Sequence, residues 1–260
     1  MNKPRVVLKV GGSNISDGEI IKTAQIAKLA NLIQSLRARY NVILVSSGAT
    51  PTGHTRVKMD KRSMPNKQAL ASIGQPLLMQ IYRDGFSAFG IEVAQVLLTK
   101  YNFDSKTQIQ HTKDCIDTLL AHNVLPIINE NDSTSVSEFI GDNDRLGAYV
   151  AHSFDATILV ILSDIDGYYD DNPTKNPNAK ILPLITHIDS KDLQAPQSPN
   201  AEFATGGIVT KLIAAQYLIE RGKSMFLSNG DKLEITQEFL LNGVQRSGTL
   251  FGNWTIRNKI

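Results

Sequence analysis

Residues 6–45, VVLKVGGSNISDGEIIKTAQIAKLANLIQSLRARYNVILV, decide the fold. They open on a short apolar run, Val6–Val10, and close on a second, Val42–Val45. Between them, from Ile20 to Arg39, the apolar residues Ile21, Ala24, Ile26, Leu29, Leu32, Ile33 and Leu36 are interleaved with Lys and Gln, the spacing of an amphipathic helix. The flanking runs are apolar at consecutive positions. A strand buried on both faces reads this way, and such strands belong to parallel sheets covered by helices on each side.

The same pattern continues outward. Further β-branched or apolar runs lie at Val93–Leu98, Val124–Ile128 and Thr157–Leu162, with a weaker one at Met225–Leu227. Strand-like runs alternating with amphipathic segments predict an α/β chain, a three-layer α/β/α sandwich around a central, mainly parallel sheet. Two stretches read as loops: Asp170–Lys180 (DDNPTKNPNAK), and Gln194–Glu202 with Pro196 and Pro199. No linker, internal repeat or low-complexity tract divides the 260 residues, so one compact domain of two lobes is expected.

Composition removes several classes. There are 27 Lys and Arg against 25 Asp and Glu, a net charge of +2, and no basic stripe of the kind a nucleic-acid binder needs. The single cysteine, Cys115, excludes an internal disulfide and a multi-cysteine zinc site, and reads as a small buried residue on a helix face. The longest apolar stretch, Ala156–Leu162, is far short of the roughly 20 residues that span a bilayer. No signal peptide is visible at the start, so a soluble cytoplasmic protein is expected. The five histidines show no metal-ligand spacing, and no residue is assigned as a protein ligand to metal.

Chemistry concentrates just after the strands, where open α/β sheets bind ligands. Gly11-Gly12-Ser13 follows Lys9 and Val10; Ser46-Ser47-Gly48 follows the second run; Asn129-Glu130-Asn131-Asp132 follows the run at Val124; Ser163-Asp164 follows that at Thr157. Each alone is ordinary turn chemistry. Neither GxxxxGK[ST] nor GxGxxG after the first strand is present, which argues against a P-loop enzyme and a dinucleotide-binding domain. Gly11 and Gly12 beside Lys9 suit a phosphoryl group, because glycine lets backbone N–H groups approach an anion closely. Thr205-Gly206-Gly207-Ile208-Val209-Thr210-Lys211 opens a second helix, either as an anion site with a mobile lysine or as a plain cap with a solvated one. In Gly141-Asp142-Asn143-Asp144-Arg145 one residue can be an N-cap, and the acidic pair can hold the lysines in place.

Seven segments together resemble the amino acid kinase family: VLKVGGS, VSSGA, PNKQALASIGQ, LLT at Leu97–Thr99, INEND at Ile128–Asp132, GDND at Gly141–Asp144 and TGGIVTK at Thr205–Lys211. The likeness runs from about Val6 to Phe251. INEND, GDND and the KQALASIGQ helix are more specific, and resemble the γ-glutamyl kinase branch. Relatives acting on N-acetylglutamate, aspartate, carbamate or UMP share the first and last motifs but not this middle set.

The resemblance implies ATP-dependent phosphorylation of the γ-carboxylate of glutamate, with Mg²⁺. It implies catalytic roles for Lys9, Lys211 and Asp144, and glutamate binding by Ser47, Asp132 and Asn143. Lys9, Gly11, Gly12, Ser163, Asp164 and Thr205 to Lys211 would hold ATP, with a glutamate lobe over about 1–152 and an ATP lobe over about 153–260. It also implies a homodimer or homotetramer and feedback inhibition by proline. Ser163 replaces a Thr frequent in the family and keeps the hydroxyl. Many members continue into a C-terminal RNA-binding type (PUA) domain, so a form with the catalytic domain alone is expected. A kinase of N-acetylglutamate and a sensor that binds without turnover are the rivals. An acetylated amine has no need of the INEND and GDND carboxylates, and a sensor has no need of both lysines.

Overall fold

The structure, a computed structural model, describes residues 3–16, 19–135, 142–173, 175–189, 192–194 and 207–255. Along them run β1 (Arg5–Val10), α1 (Thr23–Leu36), β2 (Asn41–Ser46), α2 (Ala49–His54), α3 (Met64–Ser87), β3 (Val93–Leu98), α4 (Lys106–Ala121) and β4 (Leu125–Glu130). Then follow α5 (Asn143–Ser153), β5 (Ala156–Ser163), β6 (Leu184–Ile185), α6 (Ile208–Ile219), β7 (Ser224–Asn229), α7 (Leu233–Asn242) and β8 (Thr249–Phe251).

The strands form one sheet in the order β3-β4-β2-β1-β5-β7-β8-β6. Among the described residues β7 and β8 pair antiparallel and the other neighbours pair parallel. This is the mainly parallel sheet that the apolar runs predict. The two short strands β6 and β8, of two and three residues, lie on no such run.

Alternation along β1 sorts its side chains between two layers. Val6, Leu8 and Val10 join the core formed with α1, α3 and α7. Val7 joins the core formed with α4, α5 and α6. Lys9 shares the face of Val7, and this turns it, next to the strand's end, toward α5 and α6. Fully burying each such Val or Leu contributes roughly 1.5–3 kcal/mol, so register is strongly held.

Local departures have local causes. The helical pattern at 20–39 yields a helix only over Thr23–Leu36: Ile21 forms an isolated bridge with Ser16, and Ile20 is exposed. Cys115 lies on α4 as expected but is exposed, not buried. Ile116 is the buried residue of that helix, and a neighbour 100° around the axis turns outward. Trp254, in the tail, packs on Phe239 with ring centroids 4.8 Å apart. No helix among the described residues is long and apolar enough to cross a membrane.

Helices α2 and α3 meet backbone to backbone. A Cβ at Gly74 would stand 1.8 Å from the carbonyl oxygen of Ala49, and one at Gly53 would stand 2.0 Å from that of Leu70. This contact fixes the turn after β2, where Gly48 caps α2 at φ +110°, a conformation open to glycine.

Candidate active site

Lys9 leaves β1 one residue before its end, under α5. Gly147 of α5 lies over it: a Cβ there would be 3.6 Å from the Lys9 Cβ. Asp144, the second residue of α5, sits between two lysines. Its Oδ1 is 2.5 Å from Lys9 Nζ, and its Oδ2 is 3.1 Å from Lys211 Nζ. The Thr210 hydroxyl also donates to Oδ2 at 3.3 Å. Asp144 is 1% exposed, and Lys9 and Lys211 are buried as well. Burial pushes the Asp144 carboxyl up, but the charges and hydrogen bonds of the two lysines outweigh it and hold the group down at about 2. Lys211 is thus inside the protein, and the alternative of a solvated lysine beside a plain cap does not hold.

The loop ends converge as the sheet order dictates. Gly12 begins a single 3₁₀ turn, and a Cβ on it would be 3.5 Å from the Cα of Gly48. A Cβ on Gly11 would be 3.9 Å from the Leu162 carbonyl oxygen. The turn after β1 therefore lies against the turn after β2 and the end of β5. At the end of β5 the buried Ser163 hydroxyl donates to Asp164 at 2.9 Å, while Asp164 itself is exposed. Gly207 caps α6, and among the described residues nothing lies within 4 Å of where a Cβ would point. Val209 is buried and Ile208 packs on the core, so what these two turn to a ligand is backbone N–H, at the positive end of a helix. Thr205, Gly206 and Gly141 lie outside the described residues.

Asn143 opens α5, and its neighbour Asp142 is the cap, accepting from the Arg145 N–H at 3.2 Å. Burial first, then the adjacent Asp144, raises Asp142 to about 6. The Asn143 amide nitrogen faces the Ser46 backbone carbonyl at 2.9 Å, the Ser47 hydroxyl at 2.8 Å and the Asn129 side-chain Oδ1 at 2.9 Å. Its own Oδ1 is buried and has no hydrogen-bond partner among the described residues. Ser47 and Asn143 are thus in contact, beside the lysine pair.

Asp132 comes from the turn after β4, the strand beside β2. It lines a cavity of about 240 Å³ with Ala49, Gln75, Gln95, Glu130 and Ser133, which Lys9, Lys211 and Asn143 do not line. Burial, reinforced by the neighbouring Glu130, raises the Asp132 carboxyl to about 7. Sequence reasoning gave no role to Asn129 or Gln75. Gln75 had a signal: it falls on the buried stripe Ala71, Gly74, Gln75, Leu78, Tyr82 of α3, where a polar side chain must find a partner.

These features can be set against known proteins. The family model described as the amino acid kinase family matches residues 4–229. A protein of Helicobacter hepaticus named glutamate 5-kinase is 55% identical over 252 residues, 96% of each chain. One of Leishmania donovani with the same name is 51% identical, covering 95% of this chain and 94% of the relative. Among solved structures, UMP kinase of Ureaplasma parvum aligns with a TM-score of 0.66 at 18% identity, covering 97% of this chain and all of the other. Isopentenyl phosphate kinase of T. acidophilum aligns with a TM-score of 0.65 at 16% identity, covering 95% and 99%. At such identities the two structures speak for the fold alone.

Proposed function

The chain belongs to the amino acid kinase family, and from that premise we propose that it transfers the γ-phosphoryl group of ATP to the γ-carboxylate of L-glutamate. The product is L-glutamyl 5-phosphate, and the reaction is the first step of proline synthesis from glutamate. The observation that carries this is the pair of buried lysines held on the two oxygens of Asp144. The acceptor is read from relatives named glutamate 5-kinase at 55% and 51% identity over nearly the whole chain.

The chemistry asks little of the protein beyond charge and position. A glutamate side chain has an ordinary pKa near 4.3, so it arrives as a carboxylate and needs no general base. Two anions must be brought in line, and the negative charge spread over the transferred group must be offset. Lys9 and Lys211 supply that offset, each oriented by Asp144. In this reading Asp144 orients the ammonium groups and does not touch the substrate.

The remaining residues divide between the two substrates. Ser47, Asn143 and Asp132 bind glutamate in the lobe of residues 1–152. Asp132 and the free Oδ1 of Asn143 are acceptors for its ammonium group. Gly11, Gly12, Ser163, Asp164 and the segment from Thr205 to Lys211 hold ATP, chiefly in the lobe of residues 153–260. The space at Gly207 clear of described residues and the first N–H groups of α6 fit phosphate. Asp144 is committed to two lysines, so the residues fit Mg²⁺ held by the phosphates of ATP and by water. Bound there, the ion would neutralise phosphate charge. We place the enzyme in the cytoplasm, as a homodimer or homotetramer, with proline as a feedback inhibitor.

A coupled assay of ADP release, with purified protein, Mg²⁺ and ATP, tests the reading. Glutamate-dependent turnover is expected. Turnover of N-acetylglutamate or UMP without turnover of glutamate overturns it.

A further inference from the structure

The peptide between Ser47 and Gly48 is held from one side. Both peptides flanking it are tied to the fold. The Ser46 carbonyl accepts from Asn143 at 2.9 Å and the Ser47 N–H donates to the Val10 carbonyl at 3.2 Å. Beyond it, the Gly48 carbonyl accepts from the Thr52 N–H at 3.0 Å. The peptide in the middle has one bond: the Ser47 carbonyl accepts from the Ser46 hydroxyl at 2.7 Å, while the Gly48 N–H has no hydrogen-bond partner among the described residues. A backbone carbonyl can only accept, so the single Ser46 proton goes to it. The buried Tyr82 hydroxyl, 2.7 Å from Ser46 Oγ, is then the donor in that contact. Gly48 stands at φ +110°, and glycine takes positive and negative φ about equally, so the chain itself does not decide which way this peptide faces.

The direction matters to the site. Along β2, Leu44 faces the core of α1, α3 and α7, and Val45 faces that of α4, α5 and α6. Ser46 alternates back to the α3 side, where Tyr82 lies, and draws the Ser47 carbonyl there. In a planar trans peptide the following N–H points the opposite way. The Gly48 N–H therefore faces the α5 side, from which Asn143 reaches the Ser47 hydroxyl and to which Lys9, paired in register with Val45, also turns. Gly12 leaves the approach clear: a Cβ on it would lie 3.5 Å from the Gly48 nitrogen.

We propose that Ser46 is a positioning residue for the transfer step: its hydroxyl holds the Ser47–Gly48 peptide so that the Gly48 N–H is turned to the phosphoryl group in transit. This rests on the phosphoryl-transfer reading above. In that step a glutamate carboxylate oxygen bonds to phosphorus, the bond from phosphorus to the bridging oxygen of ATP breaks, and its electron pair leaves on ADP. No proton moves, and the three outer oxygens of the group in transit carry negative charge throughout. A backbone N–H fixed beside them offsets part of it at no reorganisation cost. Without the Ser46 hydroxyl the peptide is free to turn over, and it then presents a carbonyl oxygen, which repels the group. The contacts that hold glutamate through Asp132 and Asn143 are untouched.

Steady-state kinetics with glutamate and ATP on wild type, Ser46→Ala, Ser46→Thr and Tyr82→Phe tests this, with melting temperatures measured alongside. Ser46→Ala is expected to lower kcat about ten- to a hundred-fold, less than outright removal of a donor because the peptide still visits the productive orientation, with each KM within about three-fold of wild type. Ser46→Thr keeps a hydroxyl at the position and is expected to hold kcat within about three-fold. Tyr82→Phe removes the neighbouring buried hydrogen bond but leaves the Ser46 proton on the Ser47 carbonyl, so a lower Tm is expected with kcat within about two-fold. Ser46→Cys, close to serine in size and a weak donor, repeats the test if the alanine variant is unstable. An unchanged kcat in Ser46→Ala, or a loss confined to KM, overturns the proposal. So does an equal loss of kcat in Tyr82→Phe, or a folded Ser46→Thr enzyme as slow as Ser46→Ala. Absence of glutamate turnover in wild type overturns the function reading itself, and shows before any variant is compared.

Discussion

Lys9 and Lys211, from the first strand and the sixth helix, meet on one carboxylate, at 2.5 Å and 3.1 Å from the two oxygens of Asp144. Both ammonium groups are thus fixed before a phosphoryl group arrives, and neither pays a reorganisation cost during transfer. Lys9→Ala and Lys211→Ala are each expected to lower kcat by about 100-fold or more, with the glutamate KM changed by less than about three-fold. Initial-rate kinetics reads both. A loss confined to KM contradicts a role in the transition state.

Asp144→Asn leaves the two lysines facing a neutral amide. Removing one partner of a buried ion pair costs about 3–5 kcal/mol, which lowers the Tm by roughly 10 °C in a chain of this size. The pH dependence has a definite sign. The folded carboxyl is held at about 2, below its ordinary 3.8, so its contribution is present above 3.8 and is lost as pH falls toward 2. Denaturant titrations of wild type and variant should differ at pH 7 and converge between about pH 4 and pH 2.

Asp132 titrates in the opposite sense. Burial and Glu130 raise it to about 7, so near neutrality the empty site holds a mixture of acid and carboxylate. An ammonium ligand needs the carboxylate. kcat/KM for glutamate should therefore rise with pH through about 7 with the slope of a single proton. Asp132→Asn should abolish that step and raise KM. A profile unchanged in the variant assigns the step to another group.

The sheet was legible because β1, β2 and β5 are buried on both faces and so nearly uniformly apolar, a signal that needs no knowledge of neighbours. Strands β6 and β8 were not, since two or three residues held by pairing alone leave no pattern. For the site, the glycine pairs and the polar ends of strands point to one edge of the sheet. What one chain position cannot tell is which carboxylate meets which lysine. Asp142 and Asp144 are near-equivalent in sequence, yet one, outside the helix, caps α5 and the other, in its first turn, bridges Lys9 and Lys211. The partner of Gln75 was hidden for a similar reason: Asn129 is 54 residues away.

Gly74 tests the packing beneath the site. A methyl group there would lie 1.8 Å from the Ala49 carbonyl oxygen, and 2.5 Å from the backbone nitrogen of Gly53. Neither neighbour is a side chain that can swing away, so α2 and α3 must separate. Gly74→Ala is expected to cost about 3 kcal/mol or more, read as a lower denaturation midpoint. Because α2 carries the turn of Ser47 and Gly48, any folded fraction should also bind glutamate less well. Wild-type stability in this variant overturns the backbone contact.

Gly207 makes the opposite case, a glycine the fold does not require. Its φ of −66° and ψ of 175° suit any residue, and a Cβ would meet none of the described residues within 4 Å. Gly207→Ala should therefore leave the Tm within about 1–2 °C. The space it fills is the approach to the first N–H groups of α6, where the phosphates of ATP are proposed to lie. A methyl group at that point keeps an anion from the backbone, so the ATP KM is expected to rise about three- to ten-fold while the glutamate KM stays unchanged. Kinetics with each substrate varied separately distinguishes the two effects. If the variant loses stability and binds ATP normally, Gly207 serves the helix alone; if ATP binding weakens with stability intact, the glycine is there for the ligand.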